Sequence, residues 1–201
     1  MLSASNCLDW VSTITGNSIN QSLLNAENFS ENINDINNAP YFLPYMSGER
    51  TPHNDPHVRG SFHQLKITTE KADLQYAVIE GISFGILDGI NSIEVINSNF
   101  DNIFVVGGGS KSSFWLKFLS TIINRKLSVC DQSEYGAALG VARLAMYADK
   151  NIIKKNKIIK KISIKESFKP NINKFEILKK RHLIWRNIYS ENKKSSNLHN
   201  F

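Results

Sequence analysis

The sequence predicts an α/β fold, and three observations carry that reading. A β-like run from Asn102 to Val106 ends in Gly107, Gly108 and Gly109, and a helix with an apolar side follows from about Ser112 to Asn124. A second short strand, Lys126 to Cys130, leads into a helix rich in small residues from Tyr135 to Ala148. Strand, glycine turn, helix, strand and helix is the order of a layered α/β domain. Ahead of them lies a long helix capped by Thr68 or Thr69, with Glu70 and Asp73 in its first turn, where carboxylates suit the positive end of the helix dipole. Leu74, Val78, Ile82, Ile86, Ile90 and Ile93 form one apolar stripe on it. Gly81, Gly85 and Gly89 form a second row at four-residue spacing. Each glycine costs a helix about 1 kcal/mol relative to alanine, so a close neighbour along that row is expected.

The earlier residues are less regular. Leu8, Val11 and Ile14 recur at near-helical spacing within residues 1–15, and an Asn- and Ser-rich stretch up to Pro40 reads as a short helix and loops. From Tyr41 the text turns aromatic and apolar. Pro44, Pro52 and Pro56 then forbid a continuous helix and favour an extended, turning segment.

With 201 residues and 41% hydrophobic composition, the chain can bury one sizeable core. The formal charge of +6 is concentrated between Lys150 and Lys180, a Lys-, Ile- and Asn-rich run that reads as a solvated face. No RNA-binding aromatic signature interleaves with it, so no nucleic-acid partner is expected. No uncharged apolar run approaches the ~18 residues a membrane span needs, and the opening residues lack a basic stretch leading into an apolar one. A soluble, cytoplasmic protein is expected. Cys7 and Cys130 lack CxxC spacing, so they read as reduced, packed thiols.

Two segments carry chemistry. In IFVVGGGSKSSFW, Ile103 to Trp115, glycines after a strand let backbone approach a ligand, and the following helix start presents free amides. It is not a Walker loop, because Ser110 rather than glycine precedes Lys111, and it lacks the third glycine of a dinucleotide fingerprint, because Ser112 stands there. A plain tight turn and a binding loop both fit. The second segment, Leu43 to Gly60, gathers Glu49, Arg50, His53, Asp55, His57 and Arg59. The prolines keep His53 and His57 off a common helix face, so no metal site is expected. Glu49 with Arg50 reads as a local structural pair or a hydrogen-bonding hub rather than an acid and base couple. Asp88 and Asp131 read as a helix carboxylate facing its neighbours and a capping or solvated strand end.

LPYMSGERTPHNDPHVRGSF, from Leu43 to Phe62, resembles the signature of the xylulokinase branch of the FGGY carbohydrate kinase family. VVGGGSKSSFW is similar to that family's adenosine-binding loop, EYGAALGVARLA, from Glu134 to Ala145, to its terminal core helix, and MLSASNCLDW to an internal segment. FKPNINKFEILKKRHLIWRNIY is similar, less specifically, to its closing helix. The resemblance implies an actin-like (ribonuclease H-like) ATPase domain, the C-terminal half of a two-domain sugar kinase. It implies a lead-in helix and loop over 1–40, the kinase core over 41–149, and a Lys-rich tail with a terminal helix over 150–201. By the same resemblance Gly108, Gly109 and Ser113 contact the adenosine of ATP and Gly107 shapes the turn, while Glu49, Arg50 and Thr51 belong to the signature and shape the wall on the ATP side. The complete enzyme would use ATP and Mg²⁺ to phosphorylate a ketose, D-xylulose, at its hydroxyl. Its catalytic aspartate lies upstream, so no catalytic residue is expected here and the chain alone is expected to be inactive. A separately encoded amino-terminal half is one way to complete it. The alternatives are another sugar kinase of the family, of gluconokinase or ribulokinase type, or a noncatalytic nucleotide- or partner-binding remnant. One departure is Gln64, where the family commonly has glycine, so a turn needing positive φ would be strained there.

Overall fold

A computed structural model describes residues 1–94, 102–148 and 163–196. The chain opens with three helices, α1 (Ala4–Thr15), α2 (Ile19–Phe29) and α3 (Ile33–Asn38), then a two-stranded antiparallel sheet of β1 (Tyr41–Leu43) and β2 (Ser61–His63). Helix α4 (Lys71–Glu94) leads to β3 (Ile103–Val105), α5 (Ser113–Ile123), β4 (Leu127–Cys130), α6 (Gly136–Ala148), β5 (Ile164–Phe168) and α7 (Ile172–Ser196). The second sheet runs β3-β4-β5, with β3 parallel to β4 and β5 antiparallel to it.

Helix α4 is the axle of the molecule. Residues 75–85 are buried on every side rather than along one stripe. Val78 and Ile82 of the predicted stripe are fully buried, whereas Ile93 near the helix end is 51% exposed. The glycine row is explained in part. A Cβ at Gly81 would collide with the Phe42 carbonyl oxygen of β1, and one at Gly85 would press on the Met1 side chain at 3.2 Å. Nothing lies within 4 Å of a Cβ at Gly89, so close packing accounts for only two of the three.

The Asn- and Ser-rich stretch expected to hold one short helix and loops forms two helices instead. Ser18 caps α2 by accepting from Gln21 N, and Asn32 caps α3 by accepting from Asn34 N. The polar side chains that made this stretch look loop-like form a buried network. Ser12 Oγ donates to Ser22 Oγ at 2.9 Å, Gln75 Nε2 donates to Thr15 Oγ1 at 2.8 Å, and Asn25 Nδ2 donates to Gln75 Oε1 at 2.8 Å. That network fixes α1 and α2 on α4.

Helix α7 closes the fold. Leu178, Arg181, His182, Trp185 and Tyr189 recur at helical spacing and are all buried. Arg181 forms a bidentate pair with Glu80, at 2.7 Å to Oε1 and 2.6 Å to Oε2, and donates to the carbonyls of Ala39 and Pro40. Trp185 Nε1 donates to Phe42 O at 2.7 Å. Of the predicted charge run, residues 150–162 lie outside the described residues, and Lys165, Lys169, Lys179 and Lys180 are exposed. No helix of the described residues is long and apolar enough to cross a membrane.

Candidate functional site

The glycine turn lies at the carboxyl end of β3, where open α/β sheets bind ligands. Val106, placed by the sequence at the end of the β-like run, is instead past the strand and 57% exposed, and Val105 is only partly buried. The reason is that β3 is an edge strand among the described residues. Gly107 adopts φ +88°, ψ −170°, a region open to glycine alone. Its N–H donates to Ser133 O at 2.9 Å, and its carbonyl accepts from Ser110 N and Ser110 Oγ at 3.1 and 2.7 Å. Ser110 Oγ also lies 3.1 Å from Ser133 Oγ. The turn is therefore pinned to the loop after β4 before any ligand arrives.

From there Gly108–Lys111 make a short 3₁₀ turn, and Ser112 caps α5 by accepting from Trp115 N at 3.2 Å. Gly108, Gly109, Lys111, Ser112 and Ser113 form one side of a cleft of about 770 Å³. The opposite side is α1 and α2, with Leu8, Ile19, Asn20, Leu23, Leu24 and Glu27. Trp115 lines it too, with its ring behind Gly109 and its Nε1 donating to Ser83 Oγ of α4 at 3.1 Å. The cleft thus combines apolar walls wide enough for a flat heterocycle with hydroxyl, amide and carboxylate groups that can fix its edge. Three of the four predicted ligand residues, Gly108, Gly109 and Ser113, line it, and Gly107 stands outside the lining as the turn that shapes it.

The signature segment is separate from that cleft. Glu49 is buried, and its carboxylate accepts from Arg50 N at 2.8 Å and Leu2 N at 3.3 Å. Its backbone pairs with Asp55 in both directions, at 2.9 and 2.8 Å, which folds residues 49–55 into a closed loop. Arg50 and Thr51 are exposed. None of the three lines the cleft beside Gly108. Beneath them burial, assisted by the Glu49 charge, pushes the Cys7 thiol up to about 12, and Cys7 and Cys130 are both free thiols. His53 is hydrogen-bonded to Tyr45 Oη at 2.9 Å and stacked on Tyr189 with ring centroids 3.7 Å apart. Burial lowers its pKa, against the raising influence of Asp88 and Glu49. Among the described residues no group of three His, Cys, Asp or Glu side chains could hold a metal ion. Asp88 is buried against His182 Nε2 at 2.8 Å, and Asp131 is exposed at the end of β4.

The model of the C-terminal domain of the FGGY family of carbohydrate kinases matches residues 1–148. The chain belongs to that family. It is 31% identical to the xylulose kinase of Escherichia coli over 194 residues, covering 95% of this chain and 39% of that protein. It is 37% identical to the xylulose kinase of Staphylococcus xylosus over 151 residues, covering 72% and 29%. The crystal structure of a xyloylose kinase from Brucella ovis superposes with a TM-score of 0.79 at 30% identity, covering 95% of this chain and 38% of that one. A gluconate kinase from Lactobacillus acidophilus shares the fold at a TM-score of 0.72 and 24% identity. The chain spans about two fifths of the length of the xylulose kinases of Escherichia coli and Klebsiella pneumoniae, 39% in each case. The actin-like half-fold expected from the sequence is the fold of this FGGY domain.

Sequence reasoning missed the α1–α2 side of the cleft. Ile19, Leu23 and Leu24 are helical wall residues whose i, i+4 spacing was readable, but the surrounding asparagines and serines masked it.

Proposed function

We propose that this chain is the ATP-binding carboxy-terminal portion of a xylulose kinase, which in the complete enzyme transfers the γ-phosphoryl group of ATP to D-xylulose, giving ADP and D-xylulose 5-phosphate. The observation that carries the reading is the cleft itself, where Gly108, Gly109 and Ser113 face the apolar wall of α2. Support for the sugar comes from the likeness to xylulose kinases at 31 to 37% identity.

In this reading the adenine ring lies between the Gly108–Gly109 backbone and the side chains of Ile19, Leu23 and Leu24. A bare glycine backbone lets the ring approach to van der Waals distance, which a side chain at residue 108 would prevent. Ser113 Oγ is the hydroxyl that meets the nucleoside. Trp115, locked to Ser83, gives the cleft an apolar floor. ATP supplies the phosphoryl group and Mg²⁺ the charge that stabilises it. The acceptor site, the phosphate loops and the aspartate that takes the sugar hydroxyl proton belong to the amino-terminal part, supplied upstream in one cytoplasmic polypeptide or by a separate one. Phosphoryl transfer depends chiefly on positioning and charge stabilisation, so the adenosine side alone gives no turnover. Calorimetry with ADP on the 201-residue chain, followed by an ADP-release assay with D-xylulose, tests both halves of the proposal. Binding without turnover is expected, and sugar-dependent turnover by the chain alone would overturn the division of labour.

A further inference from the structure

The rotation of α2 about its own axis is fixed by its small and polar residues. Ser22 and Ala26 are fully buried, Ser22 Oγ bonds to Ser12 of α1, and Asn25 Nδ2 bonds to Gln75 of α4. That leaves Ile19, Leu23 and Glu27, at four-residue steps along the helix, in the cleft wall opposite Gly108 and Gly109. Glu27 stands one turn beyond Leu23, about 6 Å along the axis at ~1.5 Å per residue. Glu27 and Phe114 also share a smaller hollow of about 140 Å³ next to the cleft, so Glu27 lies beside the first turn of α5, which Ser113 opens. Glu27 is the one carboxylate and Lys111 the one cation of the cleft lining. Glu31, four residues on, meets Lys174 at 3.2 Å, whereas Glu27 forms no ion pair among the described residues. The apolar wall assigned to the base thus ends in a group that accepts hydrogen bonds and donates none.

We propose that Glu27 determines which base the cleft takes: its carboxylate accepts from the exocyclic amino group of a 6-aminopurine nucleotide and turns away 6-oxopurine nucleotides. This rests on the reading of the cleft as the nucleotide site. A base gripped on its faces by the Gly108–Gly109 backbone and Leu23 presents its edges along the cleft, and the edge that meets Glu27 has to carry donors. The phosphates of a nucleotide are repelled by that carboxylate and attracted by Lys111, so the base end is the end seated beside Glu27. Adenine offers an amino group at position 6, whereas hypoxanthine and guanine carry a carbonyl oxygen there. A carbonyl facing a carboxylate sets two acceptors against each other. The Ser113 hydroxyl can donate or accept, so it meets either base and makes no such distinction.

The test is calorimetry of the 201-residue chain with ADP and with inosine diphosphate, whose base has the carbonyl at position 6. The unmodified chain should bind ADP about tenfold more tightly, the size of effect that a charge-assisted hydrogen bond at an open rim gives. Glu27→Ala should weaken ADP about tenfold and leave inosine diphosphate within about twofold, so that the preference collapses. Glu27→Gln, whose amide can donate to the carbonyl as well as accept from the amine, should tighten inosine diphosphate relative to the unmodified chain. Glu27 is exposed, so the unfolding midpoints of both variants should match that of the unmodified chain. A merely structural role would weaken both nucleotides alike and leave their ratio where it was. Equal affinity for the two nucleotides in the unmodified chain, or a ratio unchanged in both variants, would overturn the proposal while the nucleotide site stands. Absence of ADP binding by the unmodified chain sinks the nucleotide reading itself.

Discussion

Gly108→Val separates ligand exclusion from misfolding better than a substitution at either neighbouring glycine. Gly107 holds φ +88°, which strains any side chain, and a Cβ at Gly109 would stand 3.3 Å from Trp115 Cζ3. A Cβ at Gly108 meets nothing within 4 Å, and the backbone there is not left-handed. The folded chain should therefore accept valine, with a stability change within about 0.5 kcal/mol, as for exposed substitutions generally. Its two methyls project into the space that the heterocycle needs. Holding one face of an adenine away from the backbone forfeits on the order of 60 Å² of apolar contact, or about 1.5 kcal/mol at 25 cal/mol per Å². That corresponds to roughly a tenfold loss of ADP affinity. Calorimetry with ADP on both proteins, with thermal unfolding as the control, reads the two quantities independently. Equal affinity in two equally stable proteins would refute the placement of the nucleotide against this turn.

Three further outcomes follow from the packing. Gly81→Ala should destabilise the chain by several times as much as Gly89→Ala changes it, because the first forces a Cβ into the Phe42 carbonyl oxygen and the second meets open space; Gly89→Ala should in fact raise stability by about 0.5 to 1 kcal/mol in denaturant titration. Arg181→Met leaves Glu80 buried without its partner and should cost about 3 to 5 kcal/mol in urea unfolding, against a much smaller loss when Glu80→Gln accompanies it. His53 has its pKa lowered by burial, so the unfolded chain binds this proton more readily. Stability should be full above the ordinary value of 6.5 and fall as pH drops below it, and His53→Gln should flatten that part of the pH profile; an unchanged profile would contradict the assignment.

The fold was legible where a local pattern and its tertiary surroundings agree. The glycine turn, α5 with its Ser112 cap, and β4 stand within a residue or two of where the pattern puts them, because strand, turn and helix signals there are local. Residues 16–40 were illegible for a physical reason: Ser12, Ser22, Asn25 and Gln75 satisfy one another across three helices, and no single-segment pattern registers such a partnership. Gln64 shows another limit. It takes φ +61°, so the positive-φ turn is kept with a side chain in place of glycine, and the strain is carried rather than avoided. On the site, the glycine side of the cleft could be read from its motif, whereas the α2 side depends on how a helix without a motif is docked.

That docking is set by the buried network of Ser12, Ser22, Asn25 and Gln75, and bonds from the far end of the chain brace the neighbouring elements. Arg181 holds the carbonyls of Ala39 and Pro40 at the exit of α3, Lys174 meets Glu31 just past α2 at 3.2 Å, and Asn171 N donates to Thr121 Oγ1 of α5 at 3.0 Å. The exposed Lys174–Glu31 contact contributes little, but the buried bonds of Arg181 and Trp185 cannot be replaced by water without leaving polar groups unpaired. Helix α7 and the residues just before it thus brace the exit of α3 and the end of α5, although α7 contributes nothing to the lining of the cleft. The family model ends at residue 148, before this helix begins, while the likeness to the Escherichia coli relative continues to cover 95% of the chain. What lies beyond the family model is therefore an element packed on the domain core through the buried bonds of Arg181 and Trp185.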